Sequence, residues 1–363
     1  MLINWRSLRY FDWISFALTS ILACIGLLCI FSATYSPECH YSIYFKKQSI
    51  GLCIGILFYF IFALYDYRIL MRWGYSIYIA IIALLLFTLL KGSIGMGAQR
   101  WINLFFFKVQ PSELAKLFFP ACIAHHFYVH KNNPPSFNLF MPILALLGIS
   151  CPLIMKQPDL GTALIILFSG ALLLWLGGIG KKFFIFVSLA SLLLAPCFWH
   201  LLKDYQKKRI TVFLGAGGAH KERYQIEQSI IAIGSGGLSG KGLLQGTQNK
   251  LHFLPEGRTD FIFAVLCEEF GLIGALSILM LYFLLMVRLL MTTLAIIDPY
   301  AQLLAVGLFI HILLSILINV GMVMNMLPVV GIPLPLISYG LSNLWITLTS
   351  LGWIQGIAIH ERR

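Results

Sequence analysis

The chain has 363 residues, 59% of them hydrophobic and 11% charged, whereas a soluble domain carries roughly 25% charged residues. A surface that poor in charge excludes a dissolved monomer, so most of it must face lipid. The net charge of +12 does not argue for nucleic acid, because the basic residues sit singly in short gaps between apolar runs, as in membrane proteins that orient by positive charge.

A bilayer core takes about 20 apolar residues of helix. On that measure the predicted spans are 13–33, 48–65, 75–91, 113–129, 139–155, 160–179, 183–202, 261–288, 300–326 and 342–360. The first has a basic front at Arg6 and Arg9 but no small-residue cleavage site behind it, and is read as a retained helix. The expected fold class is an all-α polytopic membrane protein of about ten transmembrane helices, a single domain over 1–363.

The cysteines make no disulfide framework. Cys24, Cys29, Cys53, Cys122, Cys151, Cys197 and Cys267 lie in or beside apolar runs, Cys39 alone lies outside them, and no CxxC or Cys/His cluster occurs.

One set of short loops and ends holds Arg6, Arg9, Arg68, Arg72, Lys131, Lys181, Lys182, Arg288, Arg362 and Arg363. The other set holds Lys46, Lys47, Lys91, Arg100, Lys108 and Lys156. The bias places both termini in the cytoplasm. The long polar segment 203–260, between the seventh and eighth spans, is then extracytoplasmic. Within it Ile226–Ile233 is too short to span and is read as a surface or re-entrant element. The apolar segment 327–340 holds three prolines and two glycines. No continuous helix is expected there, but a re-entrant loop packed in protein.

Ionisable residues in or beside spans are costly, so each is a functional candidate. Around Gly97-Ala-Gln-Arg-Trp, Arg100 precedes Gln110-Pro-Ser-Glu-Leu-Ala-Lys116. Pro111 and Ser112 suit a helix start, Glu113 complements its N-terminus, and Lys116 lies one turn on. Glu113 and Lys116 are either a pair that helps each survive near lipid or a polar floor for a charged headgroup. In Lys156-Gln-Pro-Asp-Leu-Gly-Thr162, Asp159 either caps a helix or lines the same cavity. The loop Ala232-Ile-Gly-Ser-Gly-Gly-Leu-Ser-Gly-Lys-Gly242 fails the P-loop pattern, with Ser235 where the first glycine belongs and Gly242 after Lys241. Its glycines suit a diphosphate ligand or a hinge. In Phe253-Leu-Pro-Glu-Gly-Arg-Thr-Asp-Phe-Ile-Phe263, Asp260 meets the eighth span; it either caps that helix, as Thr259 could, or is a half-desolvated base with a raised pKa. Glu268 and Glu269 lie two turns deeper and need partners, with Lys or Arg of neighbouring helices as candidates.

These blocks, with Asn325-Met-Leu-Pro-Val-Val-Gly-Ile-Pro-Leu-Pro-Leu-Ile-Ser-Tyr-Gly340, together resemble the SEDS (RodA/FtsW) family of shape, elongation, division and sporulation proteins. They run from about 97 to 340 in the family's order. The stretch Gly246–Glu256 looks more like the elongation member than the division member. Two positions depart from the family pattern, Phe105 and Leu341, each where glycine is usual.

The resemblance implies a peptidoglycan glycosyltransferase that polymerises lipid II in cell-wall synthesis and releases undecaprenyl diphosphate. Asp260 matches the family's essential aspartate, and Glu113 and Lys116 its membrane Glu and Lys. Substrate-binding candidates are Arg100, Gln110, Ser112, Glu113, Lys116, Asp159, Lys241, Glu256 and Arg258. A divalent cation, Mg or Mn, held by Asp260 with Glu113 or Asp159, would serve the leaving diphosphate equally well. The implied partners are a class B penicillin-binding protein, MreC, MreB and membrane lipid, in the bacterial cytoplasmic membrane with an extracytoplasmic site. The competing readings are a lipid II flippase and a non-catalytic activator of that penicillin-binding protein.

Overall fold

The computed structural model describes residues 9–36, 41–95, 98–104, 107–132, 137–215, 220–250 and 253–361. Cys39, Gly97, Phe105 and the terminal arginines 6, 362 and 363 lie outside them. Most of the described residues are helical. In order it forms α1 (Trp13–Ala33), α2 (Ile43–Leu64), a short α3 (Tyr67–Arg72), α4 (Gly74–Lys91), β1 (Ser93–Gly95), β2 (Ala98–Leu104) and β3 (Phe107–Val109). There follow α5 (Pro111–Val129), α6 (Phe137–Lys156), α7 (Leu160–Leu176), α8 (Lys181–Leu201), α9 (Asp204–Phe213), α10 (His220–Gly236) and α11 (Thr247–Lys250). The last three helices are α12 (Ile262–Leu294), α13 (Pro299–Val323) and α14 (Leu341–Glu361).

Helices α1, α2, α4, α6, α12 and α13 are long and apolar enough to cross a membrane. Helix α7 is apolar but has 17 residues. The other predicted spans coincide with α5, α8 and α14. The departure from a purely helical reading is the antiparallel sheet β1-β2-β3. It registers Trp101 opposite Ser93 and Lys108 opposite Asn103, and carries Arg100 up to α5.

Helix starts follow their capping residues. Asp12 accepts the N–H groups of Ile14 and Ser15, Ser42 that of Phe45, and Asp298 that of Tyr300 ahead of Pro299 at the first turn. Helix α14 packs on α2 through small residues. A Cβ on Gly352 would lie 2.2 Å from the Tyr59 carbonyl, and one on Gly356 would lie 2.4 Å from that of Phe62. Bare backbone at both positions lets the helices touch, a device suited to lipid, where dispersion contact drives association.

Helix α12 is broken at Gly271, whose φ is +66. The break leaves backbone groups without helical partners, and the glycine-rich loop after α10 supplies them. Lys241 N–H donates to Glu268 O at 3.0 Å and Gly242 N–H to Glu269 O at 2.9 Å. In the other direction, Leu272 N–H donates to Gly237 O at 2.9 Å and Ile273 N–H to Leu238 O at 3.1 Å. The loop therefore stands in for missing helical rungs, which explains its glycines better than a phosphate cradle does. A Cβ on Gly240 would lie 2.1 Å from Glu269 O. Gly240→Ala, at φ +79, is expected to destabilise the protein by about 2–4 kcal/mol, read as a lowered melting temperature in detergent.

The segment 203–260 is largely helical. The Ile226–Ile233 run lies within α10, which packs on α12 and α13, burying Ile226, Ser229 and Ala232; Ser229 Oγ donates to Val323 O at 2.8 Å. Segment 327–340 forms no helix and is packed in protein, with Ile332, Leu334, Leu336 and Ile337 buried. Its polar groups find partners there. Leu334 N–H donates to Ser338 Oγ at 2.8 Å, Gln48 Nε2 to Ser338 O at 3.3 Å, and the Tyr282 hydroxyl to Pro335 O. Irregular backbone at membrane depth requires such satisfaction.

Candidate functional site

The amino ends of α5, α7 and α14 meet at one end of the bundle. Asp159 caps α7 through the Thr162 N–H at 3.2 Å. Its other oxygen accepts from Gln110 Nε2 at 2.6 Å and Ser112 Oγ at 2.9 Å. It is thus both a cap and a joint between α5 and α7. One turn into α5, Glu113 and Lys116 form a buried ion pair at 2.8 Å. Asn343 Nδ2, from the first turn of α14, donates to Glu113 at 3.4 Å.

Asp260 lies just ahead of α12 and is half-buried. It does not cap that helix, because the cap position is Phe261 and no side chain bonds there. Thr259 Oγ1 donates instead to Glu256 Oε2 at 3.0 Å. Three consecutive carbonyls fix this stretch. Arg258 O accepts from Tyr339 N–H at 2.9 Å, Thr259 O from Ser338 Oγ at 2.6 Å, and Asp260 O from Asn319 Nδ2 at 3.0 Å. Asn319 also donates to Ile332 O at 2.7 Å, so it joins the Asp260 turn to the broken segment. A Cβ on Gly331 would lie 3.5 Å from Asp260 Oδ2; the glycine, at φ +76, leaves that side of the carboxylate open.

Burial, and next the nearby Glu256, push the Asp260 carboxyl from its ordinary 3.8 up to about 6. Arg100 and Arg209 oppose the rise and Asp159 adds to it. The carboxylate therefore sits in a field shared by two acids and two arginines. Glu256 holds φ +56, a strained backbone of the kind found at functional sites. The Arg258 guanidinium stacks 4.0 Å from the Tyr44 ring centroid, and Arg100 lies 5.9 Å from that of Trp101 with its Nε buried and unpartnered among the described residues.

The geometry thus gathers Asp260, Glu256, Arg100 and Asp159, and joins Asp159 to Gln110 and Ser112. Lys241 is engaged elsewhere: its ammonium lies 2.7 Å from Glu268 Oε1 and 2.9 Å from Thr247 Oγ1. Glu268 also accepts the N–H groups of Thr247 and Gln248, and Glu269 is bonded by Ser32 of α1. A loop lysine, a hydroxyl and backbone amides thus serve the two acids, rather than cations of neighbouring helices. Arg209 on α9 and Asn319 on α13 are absent from the sequence-based candidates. Arg209 stands among other basic residues of the polar segment and gives no sequence signal; Asn319, a polar residue in the last turns of an apolar span, does.

Asn319→Leu is expected to leave two buried carbonyls unpartnered, at about 1–3 kcal/mol each, and to loosen the Asp260 turn. Turnover should fall by about 10–100-fold with KM within about twofold, since displacement of a reacting group by about 1 Å costs that much. A matched loss in KM would show that the site's binding surface had collapsed instead.

Fold and site define a multi-pass membrane protein with an ionisable cluster at one end of its helical bundle. Residues 12–363 match the cell cycle protein family FtsW/RodA/SpoVE, and the chain belongs to that family. It is 39% identical over 329 residues to peptidoglycan glycosyltransferase MrdB of Escherichia coli K12, covering 87% of this chain and 86% of the relative. It is 36% identical to MrdB of Helicobacter pylori J99, covering 94% and 88%. Among solved structures, it matches a chain from a peptidoglycan synthase complex that coordinates polymerization and crosslinking, with TM-score 0.82, 26% identity and coverage of 97% and 99%. It also matches the rod shape determining protein RodA of Thermus thermophilus, with TM-score 0.72, 26% identity and coverage of 97% and 98%.

Proposed function

We infer that this chain is a peptidoglycan glycosyltransferase, and propose that it polymerises lipid II at the Asp260 cluster. The observation that carries the mechanism is a carboxylate with a near-neutral pKa beside two arginines. Asp260 takes the proton of the acceptor sugar's 4-hydroxyl as that oxygen attacks the anomeric carbon of the growing chain. The bond from that carbon to the lipid diphosphate breaks, and the diphosphate leaves with the electron pair. Arg100 and Arg209 stabilise its charge. Gln110, Ser112 and Asp159 form the floor of the site, with Glu113 and Lys116 beneath it, and Glu256 and Arg258 flank the acceptor. Lys241, through Glu268, holds the loop that completes α12.

A divalent cation bound together with substrate would be held by Asp260 and would supply positive charge for the leaving diphosphate. Among the described residues no three His, Cys, Asp or Glu side chains are grouped closely enough to hold a metal ion by themselves, and Glu113 and Asp159 are already engaged. No step is routed through a metal. The proposed topology has ten spans, cytoplasmic termini and Asp260 on the extracytoplasmic side. The proposed partners are a class B penicillin-binding protein and an elongation assembly with MreC and MreB.

The test is polymerisation of purified lipid II in liposomes, with and without a penicillin-binding protein lacking its own transglycosylase. Glycan polymer that disappears with Arg209→Gln and Arg100→Gln supports the reading. Headgroup translocation without polymer, with the partner present, would replace it with a flippase.

A further inference from the structure

At the opposite end of the bundle a cavity of about 330 Å³ opens between the carboxyl ends of α5 and α7, the start of α6 and the amino end of α13. Helix α5 has 19 residues, so at about 1.5 Å per residue it separates this cavity from the Asp260 end by roughly the thickness of a bilayer core. The floor is apolar, made by Phe127 and Leu303. A Cβ on Gly177 would lie 2.4 Å from the Phe127 ring, so glycine there lets the end of α7 close over that floor. The rim carries His130 and Lys131. None of the lining residues is an acid. Lys131 has no carboxylate partner among the described residues; its ammonium lies 5.5 Å from the Tyr128 ring centroid.

Two further features set the depth and sign of this site. Trp175, Tyr128 and Trp73 are 56%, 45% and 58% exposed at this same end, as aromatic side chains are at the level of lipid headgroups. Lys181 and Lys182 open α8 just beyond Gly177 and Gly178, which adds positive charge beside the mouth. Basic pockets between spans at this depth suit anionic headgroups.

We propose that this cavity binds the headgroup of an anionic phospholipid, its phosphate against Lys131 and His130 and its acyl chains along the exposed Leu176. The bound lipid staples α5, α7 and α13, the helices whose other ends present Glu113, Asp159 and Asn319. The proposal stands apart from the catalytic reading, because its readouts are bound lipid and melting temperature.

The full chain would be titrated with phosphatidylglycerol and, separately, phosphatidylcholine in detergent, with bound lipid counted by native mass spectrometry and melting followed in parallel. Phosphatidylglycerol should be retained and should raise the melting temperature more than phosphatidylcholine. Lys131→Ala should weaken that retention about fivefold, the contribution of one lysine near an anionic headgroup, and Lys131→Arg should restore it. Lys131 is exposed, so neither variant disturbs packing. Equal retention of the two lipids, an unchanged Lys131→Ala, or the same stabilisation by inorganic phosphate would each overturn the proposal.

Discussion

Asp260→Asn is expected to lower glycan polymerisation by about 10²–10⁴-fold, the usual contribution of a general base, while expression and fold persist. Asn matches Asp in shape, and the side chain makes no cap, so no structural bond is lost with the charge. The wild-type rate should show an acid limb at about pH 6, falling tenfold per unit below it as Asp260 takes up a proton. Stability should move the other way. The folded pKa is raised, so this group's favourable contribution is fully present below 3.8 and is lost as pH rises through about 6. At pH 7.5 the buried charge costs about 2–3 kcal/mol, from roughly 1.4 kcal/mol per unit. Asp260→Asn should therefore melt higher than wild type at pH 7.5 and match it at about pH 3, below the unfolded pKa. An inactive variant that also melts lower at pH 7.5 would mean the side chain is structural.

Lys116→Met is expected to destabilise the protein by about 3–5 kcal/mol, because it strands the Glu113 carboxylate in a buried site. That is a large share of the 5–15 kcal/mol that holds a typical domain folded. Glu113→Gln alone should cost a similar amount by stranding the ammonium. The double variant Glu113→Gln/Lys116→Met should recover most of the loss, since a neutral pair carries no desolvation penalty. A double-mutant cycle on melting in detergent gives the coupling directly. Additive losses would show that the two residues act through separate partners, with Asn343 the first to test for Glu113. If the double variant is stable but inactive, the pair serves substrate as well as fold.

Much of this was readable because a membrane makes charge conspicuous. Glu113, Lys116, Asp159 and Asp260 each interrupt or border an apolar run, and each now has a place in the polar end of the bundle. Partners were harder to read. Glu268 and Glu269 were expected to pair with helix cations, and Glu268 instead found Lys241, 27 residues earlier on a loop. Lys241 itself looked available for a diphosphate because nothing local predicts that α12 breaks at Gly271. The sheet at 93–109 was missed because its short strands lie between two spans and carry no long alternation. Arg209 lies far back along the chain from Asp260, on α9, and only the fold brings their charges within reach.

The break in α12 has a consequence for how the chain is made. A helix with a gap in its own hydrogen-bond ladder is not a self-sufficient insertion unit, since each unmet backbone group in hydrocarbon would cost several kcal/mol. The missing rungs come from residues 237–242, which leave the ribosome earlier but must reach the same side of the membrane before they can dock. The turns of α12 on either side of Gly271, and with them the Asp260 end, are thus completed only when the preceding loop docks on them. The Asp260 end of this molecule is completed from both directions along the chain, by residues 237–242 made before α12 and by Asn319, Ser338 and Tyr339 made after it.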